Sequence, residues 1–126
     1  MFLQFQSQEE RRQYGGSCFI ELQLCKSSPD QSLENILKQS SNWKDDSLYV
    51  HGDKPLYSVY GPIFGNGVHP NMKEGYLDTW GITYYKPSVI DEIIERAIQS
   101  KPEGYEILVT WLNEAKEYNG FYILGI

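Results

Sequence analysis

The last third of the chain sets the strongest constraint, because its apolar residues change period. Val89, Ile90, Ile93, Ile94, Ala97 and Ile98 recur at helical spacing, with Asp91, Glu92, Glu95 and Arg96 on the opposite side. Lys86, Pro87 and Ser88 open that helix. Ser100, Lys101, Pro102 and Glu103 stop it and start another. In the second helix Tyr105, Leu108, Trp111, Leu112 and Ala115 share a face. Asn119 and Gly120 end it, and Phe121, Tyr122, Ile123 and Leu124 read as a short, largely buried strand. Two adjacent amphipathic helices followed by an apolar strand bury their faces against a sheet.

The rest of that sheet comes from earlier segments. Phe2, Leu3 and Phe5 suggest a first strand. Residues 18–25 alternate, with Cys18, Ile20, Leu22 and Leu24 on one face and Glu21 and Gln23 on the other. Residues 47–50 form a short strand. Residues 76–85 form a better one, in which Trp80, Ile82 and Tyr84 alternate with Gly81, Thr83 and Tyr85. Glu9, Glu10, Arg11 and Arg12 read as solvated, and Tyr14, Gly15, Gly16 and Ser17 as a turn. A helix capped by Ser28, with Pro29 at its first position and Gln31 completing a capping box, carries Leu33, Ile36 and Leu37 to about Lys38. Residues 54–75 hold prolines, glycines and aromatics and read as a long aromatic loop, with some strand around Tyr57 to Tyr60. The order predicts one α+β domain over residues 1–126. Its sheet is mainly antiparallel, with about three helices packed on one face, two of them consecutive near the C-terminus.

Composition narrows the function. Seventeen acids face eleven bases, a net charge of −6, which argues against a general nucleic-acid binder. No apolar run approaches the roughly 18 residues of a membrane span. The N-terminal residues lack the basic and apolar regions of a signal peptide. A strand over 18–25 would hold the sulfurs of Cys18 and Cys25 roughly 20 Å apart and on opposite faces, so they are expected as free thiols. That fits a reducing cytoplasm.

No motif points to catalysis. The two histidines, His51 and His69, lack the ligand spacing of a metal site, so no metal or cofactor is expected. No activated serine or cysteine stands in a local motif. Gly65, Asn66 and Gly67 do not lead into a helix, so no phosphate cradle is indicated. Glu92 with Glu95, and Glu114 with Glu117, share helical faces. Such faces are solvated, or they meet the lysines and arginines of a partner. The expected partner contacts are Asp45, Asp46, Asp53, Tyr57, Tyr60 and Glu74, which gather in sequence around the irregular region.

The segments 65–70, 78–85, 111–115 and 118–126 match no catalytic signature. As a small acidic α+β chain without catalytic motifs, the protein resembles the bacterial immunity proteins of contact-dependent inhibition and other polymorphic toxin systems. The likeness is one of general type and spans the whole chain. It implies a cytoplasmic antidote that binds one cognate toxin, often a basic nuclease, and blocks its active site or substrate surface. It implies no direct contact with nucleic acid or membrane. The alternative is a small enzyme or ligand-binding domain, with a pocket walled by the 54–75 loop and His69 as general base.

Overall fold

The computed structural model describes residues 1–15, 18–41, 43–52 and 55–125. Six strands form one antiparallel sheet: β1 (Phe19–Leu24), β2 (Leu48–His51), β3 (Gly67–Val68), β4 (Glu74–Gly75), β5 (Ile82–Tyr85) and β6 (Phe121–Leu124). Their order is β2-β1-β6-β5-β3-β4, so the last strand of the chain lies inside the sheet. Helices α4 (Ile90–Ser100) and α5 (Tyr105–Ala115) follow the predicted stripes. Ile90, Ile93, Ala97, Leu108, Leu112 and Ala115 pack on Ile20, Leu22, Tyr85, Phe121 and Ile123 of the sheet.

Entry into β6 depends on Gly120. Its φ is +83°, and an added Cβ would stand 2.1 Å from the Tyr85 carbonyl oxygen.

Several expectations change. Five α-helices are present among the described residues rather than about three, and they do not share one face. Helix α2 (Leu33–Leu37) packs Ile36 and Leu37 against Val68, Tyr84 and Tyr122, on the side of the sheet opposite α4 and α5. Alternation therefore places apolar residues on both faces of β5 and β6. The cap of α2 is Ser32, whose Oγ accepts the Asn35 amide at 3.2 Å, not Ser28. Pro29 and Asp30 make a turn before it.

The acidic and basic run near the N-terminus is helical, forming α1 (Gln8–Gly15). Ser7 Oγ accepts the Glu10 amide at 3.1 Å, and the Glu10 carboxylate accepts the Gln6 amide at 3.0 Å. This is close to a capping box, shifted by one residue. The predicted turn extends over Gly16 and Ser17, which lie outside the described residues. The expected first strand shrinks to a single bridge between Leu3 and Tyr49.

The supposed aromatic loop is also structured. A π-helical turn (Leu56–Tyr60) runs into α3 (Gly61–Phe64), and the β3–β4 hairpin follows. Leu56, Tyr60, Ile63 and Phe64 recur at helical spacing, so a single helical face carries them into the core.

Burial on both faces forces polar groups of the sheet to find partners inside the protein. All six residues of β1 are buried, including Glu21 and Gln23. Glu21 Oε1 accepts the Trp43 amide at 2.9 Å. Its Oε2 accepts Ser47 Oγ at 2.6 Å and Gln23 Nε2 at 2.9 Å. Trp43 sits at φ +68° and stacks on Tyr49, so the carboxylate helps hold a backbone conformation that side chains rarely adopt.

The buried tyrosines follow the same rule. Each hydroxyl donates to a main-chain carbonyl: Tyr49 to Lys44, Tyr60 to Glu103, Tyr84 to Asn119, Tyr85 to Gly65 and Tyr122 to Ile36. Burial raises the pKa of all five. For Tyr60 burial, helped by the Glu103 charge, pushes it up to about 12.

Two measurements test this account. Glutamine at position 21 must turn its NH2 toward either the Trp43 amide or the Gln23 and Ser47 donors. Glu21→Gln should therefore lower stability by about 1–3 kcal/mol in denaturant titration, and Glu21→Ala by more. The second concerns alkali. Above about pH 10 the unfolded tyrosines lose protons that the folded ones keep, so stability falls as pH rises. The share of tyrosinate absorbance that belongs to these five buried tyrosines should appear together with loss of the fold, not ahead of it.

Candidate interaction surface

Groups with chemical potential are spread out. Cys18 is exposed, while Cys25 is buried with its sulfur 3.0 Å from Ser27 Oγ and 3.3 Å from the Tyr122 hydroxyl. His51 packs edge-on against Phe19. His69 Nε2 lies 2.8 Å from the Tyr76 carbonyl oxygen. Among the described residues no carboxylate lies within ion-pair distance of either histidine. No group of three or more histidine, cysteine or acidic side chains could hold a metal there.

The residues picked out as partner contacts do not form one surface. Tyr60 is fully buried, edge-on to Phe2 at 5.0 Å, and belongs to the core. Its place on the apolar face of the 56–64 helical segment removes it from any interface. Tyr60 and Phe64 fill the core, so they do not wall a pocket beside His69. Asp53 lies outside the described residues. Tyr57 is 49% exposed and meets Tyr76 in a T-shaped contact at 5.2 Å. Glu74 is exposed on β4, at one edge of the sheet. Asp45 and Asp46 precede β2, at the other edge, five strand spacings or about 24 Å away.

Asp45 and Asp46 nevertheless have company. The Trp111 indole N–H donates to the Asp46 carbonyl at 2.8 Å, which draws the 45–46 turn alongside α5. The Asp46 carboxylate holds Lys26 Nζ at 2.5 Å, and this bond is the largest cause of the raised Lys26 pKa.

The outward side of α4 and α5 is acidic. Arg96 gives its Nε to the Ile63 carbonyl at 2.7 Å and meets Glu92 only at 3.8 Å. Lys116 pairs with Asp91 at 2.8 Å. Glu95, Glu103, Glu106, Glu114 and Glu117 are exposed, with no cation within ion-pair distance among the described residues.

Along α5 these acids border an apolar groove of about 390 Å³. Its walls are Gln4, Leu48, Glu106, Ile107, Thr110, Trp111 and Glu114. Ile107 is 50% exposed. It stands one position ahead of the buried stripe begun by Leu108. An apolar residue out of phase with its helix was the available sequence signal.

A second feature escaped the alternation pattern. Residues 78–81 form a turn, not strand, and Trp80 projects from it at 73% exposure. Asp78 Oδ1 accepts the Trp80 amide at 2.9 Å, and Thr83 Oγ1 accepts the Asp78 amide at 3.1 Å. The Gly125 amide donates to the Gly81 carbonyl at 2.7 Å. A Cβ on Gly81 would lie 2.6 Å from Asp78 Oδ2, so any larger residue there would displace the Asp78 carboxylate. Aspartate three residues before glycine was the readable mark of this turn.

Comparison with protein-family models, curated proteins and solved structures finds no match for this chain. No helix among the described residues is long and apolar enough to cross a membrane.

The Trp80 geometry makes an optical prediction. Trp111 is buried and Trp43 is partly buried, so the red-shifted, acrylamide-quenchable emission should come mainly from Trp80. Trp80→Phe should remove that component and leave stability within about 0.5 kcal/mol. Loss of the fold in that variant would contradict the exposed placement.

Proposed function

We propose that this chain is a small acidic immunity protein, a cytoplasmic antidote that binds and neutralises one cognate protein toxin. The observation that carries the reading is the exposed side of α4 and α5, where Glu95, Glu106 and Glu114, with Glu103 and Glu117 in the adjoining turns, have no cation within ion-pair distance among the described residues. Such a face meets a basic partner with complementary potential, which speeds encounter and sets orientation. A basic nuclease domain suits it. A nuclease needs cationic charge to hold phosphates, so an acidic protein seated on that charge occupies the substrate surface directly.

The test pairs the purified chain with a basic C-terminal toxin domain encoded beside it. A nanomolar complex is expected, with association slowing about tenfold or more as salt rises from low to high. Co-expression should protect cells from that domain. Replacing Glu106 and Glu114 with lysine should slow association much more than it speeds dissociation. No complex, or cells left unprotected, would overturn the proposal.

A further inference from the structure

The groove along α5 has a defined charge spacing, and that spacing specifies an occupant. Its exposed apolar surface is that of Ile107, with the buried Leu48 and Trp111 beneath and Thr110 beside it. Glu106 and Glu114 are the first and last residues of α5 that line it. Eight helical steps separate them, about 12 Å along the axis. Neither has a cation within ion-pair distance among the described residues. Ile107 remains half-exposed although its neighbour Leu108 is fully buried, so this flank of α5 is not covered by the sheet.

We infer that the groove binds an extended segment of a partner protein. The segment carries an apolar side chain with a lysine or arginine two residues to either side. This inference rests on the reading of the α4–α5 face as the partner surface, and it names the pattern recognised. In an extended chain alternate side chains point the same way, so the two cations and the apolar residue fall on one face. Four strand steps separate the cations by about 13 Å, which matches the Glu106–Glu114 spacing. The apolar side chain then lies over Ile107, between the two ion pairs. Polyanions are repelled by the same two carboxylates. A purely cationic ligand leaves that apolar surface in water.

The test needs no toxin. An acetylated, amidated peptide containing Lys-Ser-Leu-Ser-Lys is titrated into the isotopically labelled chain at low salt, and amide shifts are followed by NMR. Shifts confined to α5 and the adjoining 3–4 and 46–49 segments are expected. Replacing the leucine with serine, or both lysines with glutamate, should weaken binding by about tenfold or more. Ile107→Asp should do the same, and its unchanged amide pattern elsewhere would show that the fold is intact. Glu34→Gln on α2 serves as the remote acidic control and should change nothing. Equal binding of the leucine-free peptide, shifts scattered over all acidic surfaces, or no shifts at all would each overturn the inference. Peptide binding without toxin protection would leave the groove standing and remove only the antidote reading. Protection that survives Ile107→Asp would do the reverse.

Discussion

A sheet covered on both faces has no water to satisfy its polar side chains, and much of this structure follows from that constraint. Strand β1 is buried along its whole length, so Glu21 and Gln23 need partners from the protein itself. They find them in Trp43, Ser47 and Ser41, residues of the crossing from α2 to β2. The buried tyrosines answer the same need from the opposite direction. Their rings fill the core, and their hydroxyls tie off carbonyls where helices and loops end. The high aromatic content is thus largely structural. It joins the connecting segments to the sheet and leaves only a few aromatics, Trp80 foremost, open to solvent.

The charge distribution separates in a related way. Four basic side chains are engaged in ion pairs among the described residues. Arg96 binds the end of α3, Lys116 binds Asp91, and Lys26 binds Asp46. The glutamates of α4 and α5 keep their charge outward. The few surface ion pairs that do form add little to stability.

Some of this was readable in the chain. Long apolar stripes defined α4 and α5 because their period persists over several turns and opposing charges share no face with it. The 18–25 and 47–50 strands were legible for the same reason. The failures are local. Gly61 and Pro62 masked the helical spacing of Leu56, Tyr60, Ile63 and Phe64, so a core segment read as a loop and Tyr60 as an interface residue. Ser28 read as the helix cap, but Ser32 Oγ accepts the Asn35 amide and Pro29 and Asp30 form a turn before the helix. Trp80 fitted an alternating strand, but the Asp78 side chain claims its amide for a turn. The acidic face itself was only half legible. Glu92 with Glu95 and Glu114 with Glu117 were visible as pairs, yet their union across two helices needs the antiparallel packing of α4 on α5.

Glu21 carries one more consequence, for the alignment of strands. A slip of one residue in β1 would turn its carboxylate into the layer of Ile20, Leu22 and Phe121, away from every donor it now has. An unpaired charge there costs several kcal/mol, far more than the slipped ladder could recover. A slip of two would offer Phe19 or Gln23 to Trp43 and Ser47 in its place. Apolar patterning alone tolerates the second error, since both faces of β1 are buried. One carboxylate with three donors does not. It acts as a keying residue, which lets a strand buried on both sides have a single correct pairing.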